Sequence, residues 1–163
     1  MRKHFVAIVG HGGSGKSTVI QSLTGAKSKG YVGTVEDRSS GKELEVMTSS
    51  PEENNELSLQ DVREMLEKAK RSDVSLGAVI AIQPRGEDTQ KPMERIFELA
   101  RRYRFTLHAF VLDPPYSSKK PRRTTIEEIE DRIRRAGVKC QRLDGRRFAL
   151  HNAAIIRETV GLF

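Results

Sequence analysis

The sequence predicts a three-layer α/β fold whose sheet is mostly parallel, with an early antiparallel hairpin. Three observations carry that expectation. Short apolar runs alternate along the chain with stretches whose apolar residues recur at helical spacing. One run, Leu76–Ile82, is apolar almost throughout, as a parallel strand covered on both faces must be. Two strand-like runs, Tyr31–Asp37 and Lys42–Thr48, are separated only by Arg38-Ser39-Ser40-Gly41, a hairpin signal.

The elements follow in order. Phe5–Val9 is a strand that ends at a glycine, and Ser17–Leu23 reads as a short helix closed by Gly25. Ala26–Gly30 is a small, polar loop. In the hairpin, Leu44 and Val46 alternate with Glu43 and Glu45, the period of a strand. Ser49–Glu56 is a second polar loop. Ser58 begins a helix whose buried face is Leu59, Val62, Met65, Leu66 and Ala69. After Leu76–Ile82, Thr89 is expected to cap a helix with the face Met93, Ile96, Phe97 and Ala100. Phe105–Leu112 is a strand stopped by Pro114-Pro115, and Pro114–Arg123 is a loop. Thr125-Ile126-Glu127-Glu128 is a capping box, and its helix buries Ile126, Ile129 and Ile133 before stopping at Gly137. Val138–Leu143 is the last long strand. Asp144-Gly145 is a tight-turn signal, so Arg147–Leu150 is expected to pair back as a further strand. Asn152 is expected to cap a final helix that runs through Val160.

The chain of 163 residues suits a single domain, taken as 1–163, with one core of its own. One cysteine, Cys140, cannot form an internal disulfide or a thiolate metal cluster, which points to a reducing compartment. The basic start Met1-Arg2-Lys3-His4 precedes only a five-residue apolar run, so it reads as a strand and not as a secretory leader. No apolar stretch reaches membrane-spanning length, and a cytoplasmic location is the expectation. The net charge of +7 is unevenly spread. Residues 1–83 hold 11 basic and 11 acidic side chains, whereas residues 84–163 hold 18 and 11. The second half could therefore attract nucleic acid or a phosphorylated partner.

The most specific feature is Gly10-His11-Gly12-Gly13-Ser14-Gly15-Lys16-Ser17, which fits G-x-x-x-x-G-K-[ST] without a substitution. Chance would produce the pattern in about one in two hundred chains of this length. Here a strand precedes it and a helix follows it. Glycines let the backbone wrap so that successive N–H groups face a phosphate, and the new helix adds the positive end of its dipole. Lys16 would supply a point charge to the β- and γ-phosphates, and Ser17 a hydroxyl to Mg²⁺. On these residues the chain resembles the P-loop NTPase superfamily. The resemblance implies the three-layer P-loop fold, Mg²⁺–nucleotide binding, and contacts from Gly10 through Thr18, with Lys16 also catalytic.

The early hairpin makes the element order similar to that of small GTPase-like domains. Their D-x-x-G and N-K-x-D motifs are absent. Met47-Thr48-Ser49-Ser50-Pro51 stands at the place of the first, and Leu112-Asp113-Pro114-Pro115 at that of the second. ATP is therefore the default nucleotide, with GTP left open. A second acidic group usually helps to hold the metal. Asp113 is the candidate, since Ala109-Phe110-Val111-Leu112-Asp113 is an apolar run ending in an acid. Glu36 and Asp37 are rivals if the hairpin lies beside the loop, and Thr34 or Thr48 could touch the metal or γ-phosphate. Gln83 and Arg85 follow the central strand, at the end where such sheets bind ligands. Gln83 could orient a water and Arg85 could neutralise charge. The four histidines, His4, His11, His108 and His151, lack metal-ligand spacing. His11 falls within the loop and could approach phosphate.

The compact cationic run Lys119-Lys120-Pro121-Arg122-Arg123 reads as a solvated loop, a nucleic-acid footprint or a lid over phosphates. Three functions stay open. The first is an NTPase that hydrolyses the β–γ bond and switches loops 24–33 and 47–57. The second is a kinase that moves the γ-phosphate to a nucleoside, a nucleic-acid end or a small acceptor, with Asp37 or Asp113 as base. The third is a nucleotide-binding adaptor without turnover.

Overall fold

In the computed structural model, residues 2–28, 30–49, 58–84, 91–115 and 125–162 are described. The elements are β1 (His4–Val9), α1 (Lys16–Thr24), β2 (Val32–Asp37), β3 (Lys42–Met47), α2 (Leu59–Arg71), β4 (Ser75–Ile82), α3 (Pro92–Arg102), β5 (Thr106–Leu112), α4 (Ile126–Arg135), β6 (Lys139–Leu143) and α5 (Ala149–Val160). They build one six-stranded sheet in the order β2-β3-β4-β1-β5-β6. All neighbouring pairs are parallel except β2–β3, which is the expected antiparallel hairpin.

Side-chain alternation along the central strands divides the core in two. Phe5, Ala7 and Val9 point to the layer formed by α2, α3 and α4, where they meet Val62, Phe97 and Ile129. Val6 and Ile8 point the other way, against Ile20 and Leu23 of α1 and Ile156 of α5. Each helix shows one apolar stripe to the sheet because its apolar residues recur every three or four positions. In α2 these are Val62, Met65, Leu66 and Ala69, as the spacing predicts. The Ser58 hydroxyl accepts from the Asp61 N–H while Asp61 reaches back to the Ser58 N–H, closing a capping box. Thr125 caps α4 by accepting from the Glu128 N–H at 3.2 Å.

The spatial order holds a feature that the chain order does not show. β4 lies between β3 and the central strand β1. Its eight residues are buried along nearly their whole length, so it needs a neighbour on each edge and a helix on each face. β3 is half charged and lies next to the hairpin edge. Its buried Glu45 accepts a hydrogen bond from the Thr34 hydroxyl at 2.7 Å and has Lys68 at 3.9 Å. The β1–β4 contact is close at one point. Gly77 has φ +134°, and a Cβ there would collide with the backbone carbonyl of His4.

Two local expectations are corrected. Arg147–Leu150 does not form a strand, because α5 begins at Ala149 with Phe148 as its N-cap. The stripe Ala153, Ile156 and Val160 packs on the sheet, and helical burial overrides the turn signal. Asn152 consequently lies inside the helix and not at its cap. Its side-chain amide donates to the Asp144 carbonyl at 3.0 Å and ties the helix to the preceding turn. α3 starts at Pro92 with Lys91 as N-cap, and Thr89 lies outside the described residues.

On the α1–α5 side, His4 Nδ1 and His108 Nε2 meet at 3.2 Å across β1 and β5. Burial, followed by the nearby charges of His4 and Lys139, pushes His108 down to about 4. Burial and Arg2 also lower His4. An unfolded histidine titrates near pH 6.5, so the unfolded chain takes up protons that the folded pair refuses as the pH drops below that value. Stability should fall between about pH 6.5 and about pH 4 and be insensitive to this pair above that window. The urea midpoint should therefore drop on acidification, and a His4→Gln/His108→Gln protein should drop by clearly less. An equal drop in both proteins would clear the pair of responsibility.

Candidate functional site

The loop after β1 lies at the C-terminal edge of the sheet, between the ends of β4 and β5. Its first residue is tied to β4, since the Gly10 N–H donates to the Ile82 carbonyl at 3.1 Å. The Ser14 N–H then donates back to His11 O at 3.1 Å, which closes the loop as a tight turn. Gly10 abuts the Ser14 hydroxyl, so a Cβ at Gly10 would collide with it. Ser14 itself is wholly buried, and its hydroxyl has no hydrogen-bond partner among the described residues. Gly12 and Gly13 are exposed.

Lys16 opens α1 and is only 5% exposed. Its ammonium folds back over the loop and donates to His11 O at 2.9 Å. Gly15 is the N-cap, with no side-chain cap and no acid in the first turn of α1. The amides that begin the helix thus have no acidic competitor in the first turn, and the positive end of the dipole and the ammonium both sit at the loop. Such a donor set fits a polyphosphate. Ser17 is half-buried and Thr18 exposed in the same turn.

Two strand ends flank the loop. Gln83 follows β4, and its side-chain amide lies 3.6 to 3.7 Å from where a Cβ on Gly12 would be. Asp113 follows β5, whose Leu112 side chain comes within 3.6 Å of that position on Gly10. The Asp113 carboxylate is 18% exposed and has Arg142 of β6 at 3.6 Å. Arg142 also pairs with the buried Glu130 and, at 3.8 Å, with Glu127. Sequence reading does not single out Arg142, because an arginine on an edge strand carries no local signal. Only the parallel register of β5 and β6, with Val111 beside Arg142, brings it to Asp113.

The remaining candidates lie elsewhere. Asp37 ends β2 at the hairpin turn, where it accepts from Ser39 and Ser40. That turn is level with Ser75 at the start of β4, while the loop follows the level of Ile82. Seven strand residues, about 23 Å, separate the two levels. Glu36 and Asp37 therefore do not lie beside the loop. Thr34 is committed to Glu45 inside the hairpin. Thr48 follows β3, two strands away from β1, and its N–H and hydroxyl both donate to Tyr31 O, at 3.0 and 3.1 Å. It fastens one loop to another. Arg85 and Lys119–Arg123 lie outside the described residues. Among the described residues no group of three or more His, Cys, Asp or Glu could hold a metal.

A phosphate-shaped loop between the central strand of a parallel sheet and a helix defines a P-loop NTPase. Comparison with known families gives the more particular statement. The family model described as ABC transporter matches residues 1–106, and the chain belongs to that family. Membership makes it a nucleotide-binding P-loop protein of an ATP-hydrolysing kind. The match spans β1 through α3 and ends where β5 begins, so Gln83 falls inside it and Asp113 outside. No curated protein matches the chain. Among the described residues no helix is long and apolar enough to cross a membrane.

Proposed function

We propose that this protein is a Mg²⁺-dependent ATPase that hydrolyses the β–γ bond. The observation that carries the reading is the Gln83 amide held against Gly12 at the rim of the phosphate loop. A side chain there can orient a water toward the γ-phosphate, a recurring device in P-loop chemistry. Lys16 would hold the β- and γ-phosphates and offset the charge that builds on the transferred group. Ser17 would give its hydroxyl to the metal, and Asp113 would hold a metal-bound water once Arg142 shares its charge. Gly10, His11, Gly12, Gly13, Ser14, Gly15 and Thr18 would line the phosphates through backbone and hydroxyl donors. When bound, Mg²⁺ neutralises phosphate charge.

The test is phosphate release from Mg²⁺–ATP by the purified chain. Gln83→Ala should lower kcat by about 10- to 100-fold while changing ATP affinity by less than about threefold, since a water-orienting group acts on the reaction and not on the bound phosphates. Unaltered kcat would remove Gln83 from the mechanism. Asp113→Asn should raise the Mg²⁺ concentration needed for half-maximal binding.

One observation favours a second reading, binding without turnover. Asp113 is ion-paired with Arg142, so the candidate acid is already engaged. Tight Mg²⁺–ATP binding with no phosphate release, in the wild type and in Arg142→Ala alike, would establish that reading instead.

A further inference from the structure

Away from the loop, α2 and α3 lie side by side, and their outer faces enclose a groove of about 300 Å³. Leu99, itself buried, and the half-buried Leu59 form its apolar floor. Arg63, Arg95 and Arg102 form its walls together with Glu98. The charges are not balanced. Glu98 is taken by Arg102 at 2.6 Å. Neither Arg63 nor Arg95 has an ion-pair partner among the described residues. Two exposed guanidinium groups therefore border a trough with a leucine floor and polar walls, and no acid among the described residues pairs with them.

The shape decides between occupants. Small ligands bind where most of their surface is enclosed. Here the wall residues are themselves exposed, so the trough is shallow and open along its length. A strand of nucleic acid would find arginines but no aromatic side chain to stack on, and leucines below that no phosphate needs. A short helix fits better. Its leucines would cover Leu59 and Leu99, and its carboxylates would meet Arg63 and Arg95 in forked pairs. We infer that the α2–α3 groove docks an acidic, leucine-bearing helical segment of a partner protein. The docking does not rest on ATP hydrolysis, and either reading can fail alone.

The experiment is to pan a displayed random peptide library on the wild-type protein, with the double variant Arg63→Glu/Arg95→Glu kept for the affinity measurements. Selected peptides would then be measured by fluorescence anisotropy, with a labelled single-stranded oligonucleotide in parallel. Both arginines are exposed, and circular dichroism would check that the variant folds. Arg63→Gln/Arg95→Gln provides a gentler second variant. The expected result is enrichment of peptides with Asp or Glu flanking Leu, with affinity falling at least about tenfold in either double variant and falling again with added salt. Arg146→Glu/Arg147→Glu, outside the groove, should leave that affinity unchanged. Peptides whose binding ignores Arg63 and Arg95 would overturn the inference. So would an oligonucleotide that binds through these two residues.

Discussion

Lys16→Ala should weaken ATP binding by about 100-fold or more, a loss of about 3 kcal/mol, and leave the fold intact. Lys16 carries the only side-chain charge among the loop residues from Gly10 to Ser17. Its hydrogen bonds to phosphate are charge-assisted, each contributing about 1.5 to 3 kcal/mol. The same ammonium is 5% exposed and donates to His11 O at 2.9 Å in the protein. Removing it gives up the hydrogen bond to His11 O, about 1 kcal/mol, and relieves a buried charge, so the two effects on stability oppose each other. Isothermal titration with Mg²⁺–ATP and a urea melt of the same preparation separate binding from folding. A folded variant that binds ATP as tightly as the wild type would remove the loop from the function altogether.

Gly77→Ala should cost about 3 kcal/mol or more in stability and weaken ATP binding as a secondary effect. The backbone at Gly77 has φ +134°, a conformation that side chains rarely adopt. The added methyl would also meet the His4 carbonyl, which is backbone and cannot rotate away. β1 and β4 would have to separate where Gly77 is paired with His4, and that ladder also carries Gln83 and the loop. Gly30→Ala serves as the control, because nothing lies within 4 Å of a Cβ there. Its urea midpoint should stay near the wild-type value, and equal midpoints for the two variants would refute the steric argument.

Much of this architecture is legible from the residues, and the parts that are not share a cause. The β1–loop–α1 unit follows from local chemistry, because a strand, a glycine-rich turn and a helix start are all written within a few residues. α2 and α4 are legible for the same reason, through apolar spacing and the caps at Ser58 and Thr125. Strand order is not local. Nothing in Lys42–Met47 or Ser75–Ile82 alone says that the second lies between the first and β1. Competing local signals also mislead. Asp144-Gly145 suggests a hairpin, and only the burial of Ala153, Ile156 and Val160 decides for a helix from Ala149. In the site, the contacts across strands are the hidden ones. Gln83 can be suspected from its place after an apolar strand, but its approach to Gly12 and the reach of Arg142 to Asp113 exist only in the assembled sheet.

The central place of β1 bears on how the protein comes into being. Val6 has Val79 on one side and His108 on the other, so β1 is flanked by partners made much later. Domains are synthesised from the N-terminus, and contacts distant in sequence are the slow ones to close. The phosphate loop, although encoded within the first twenty residues, lacks its flanking strands until Thr106–Leu112 has been translated. A nascent chain halted before β5 should therefore not recognise ATP. ATP then binds only once β1 has both neighbours, and its binding free energy is added to the stability of the assembled sheet.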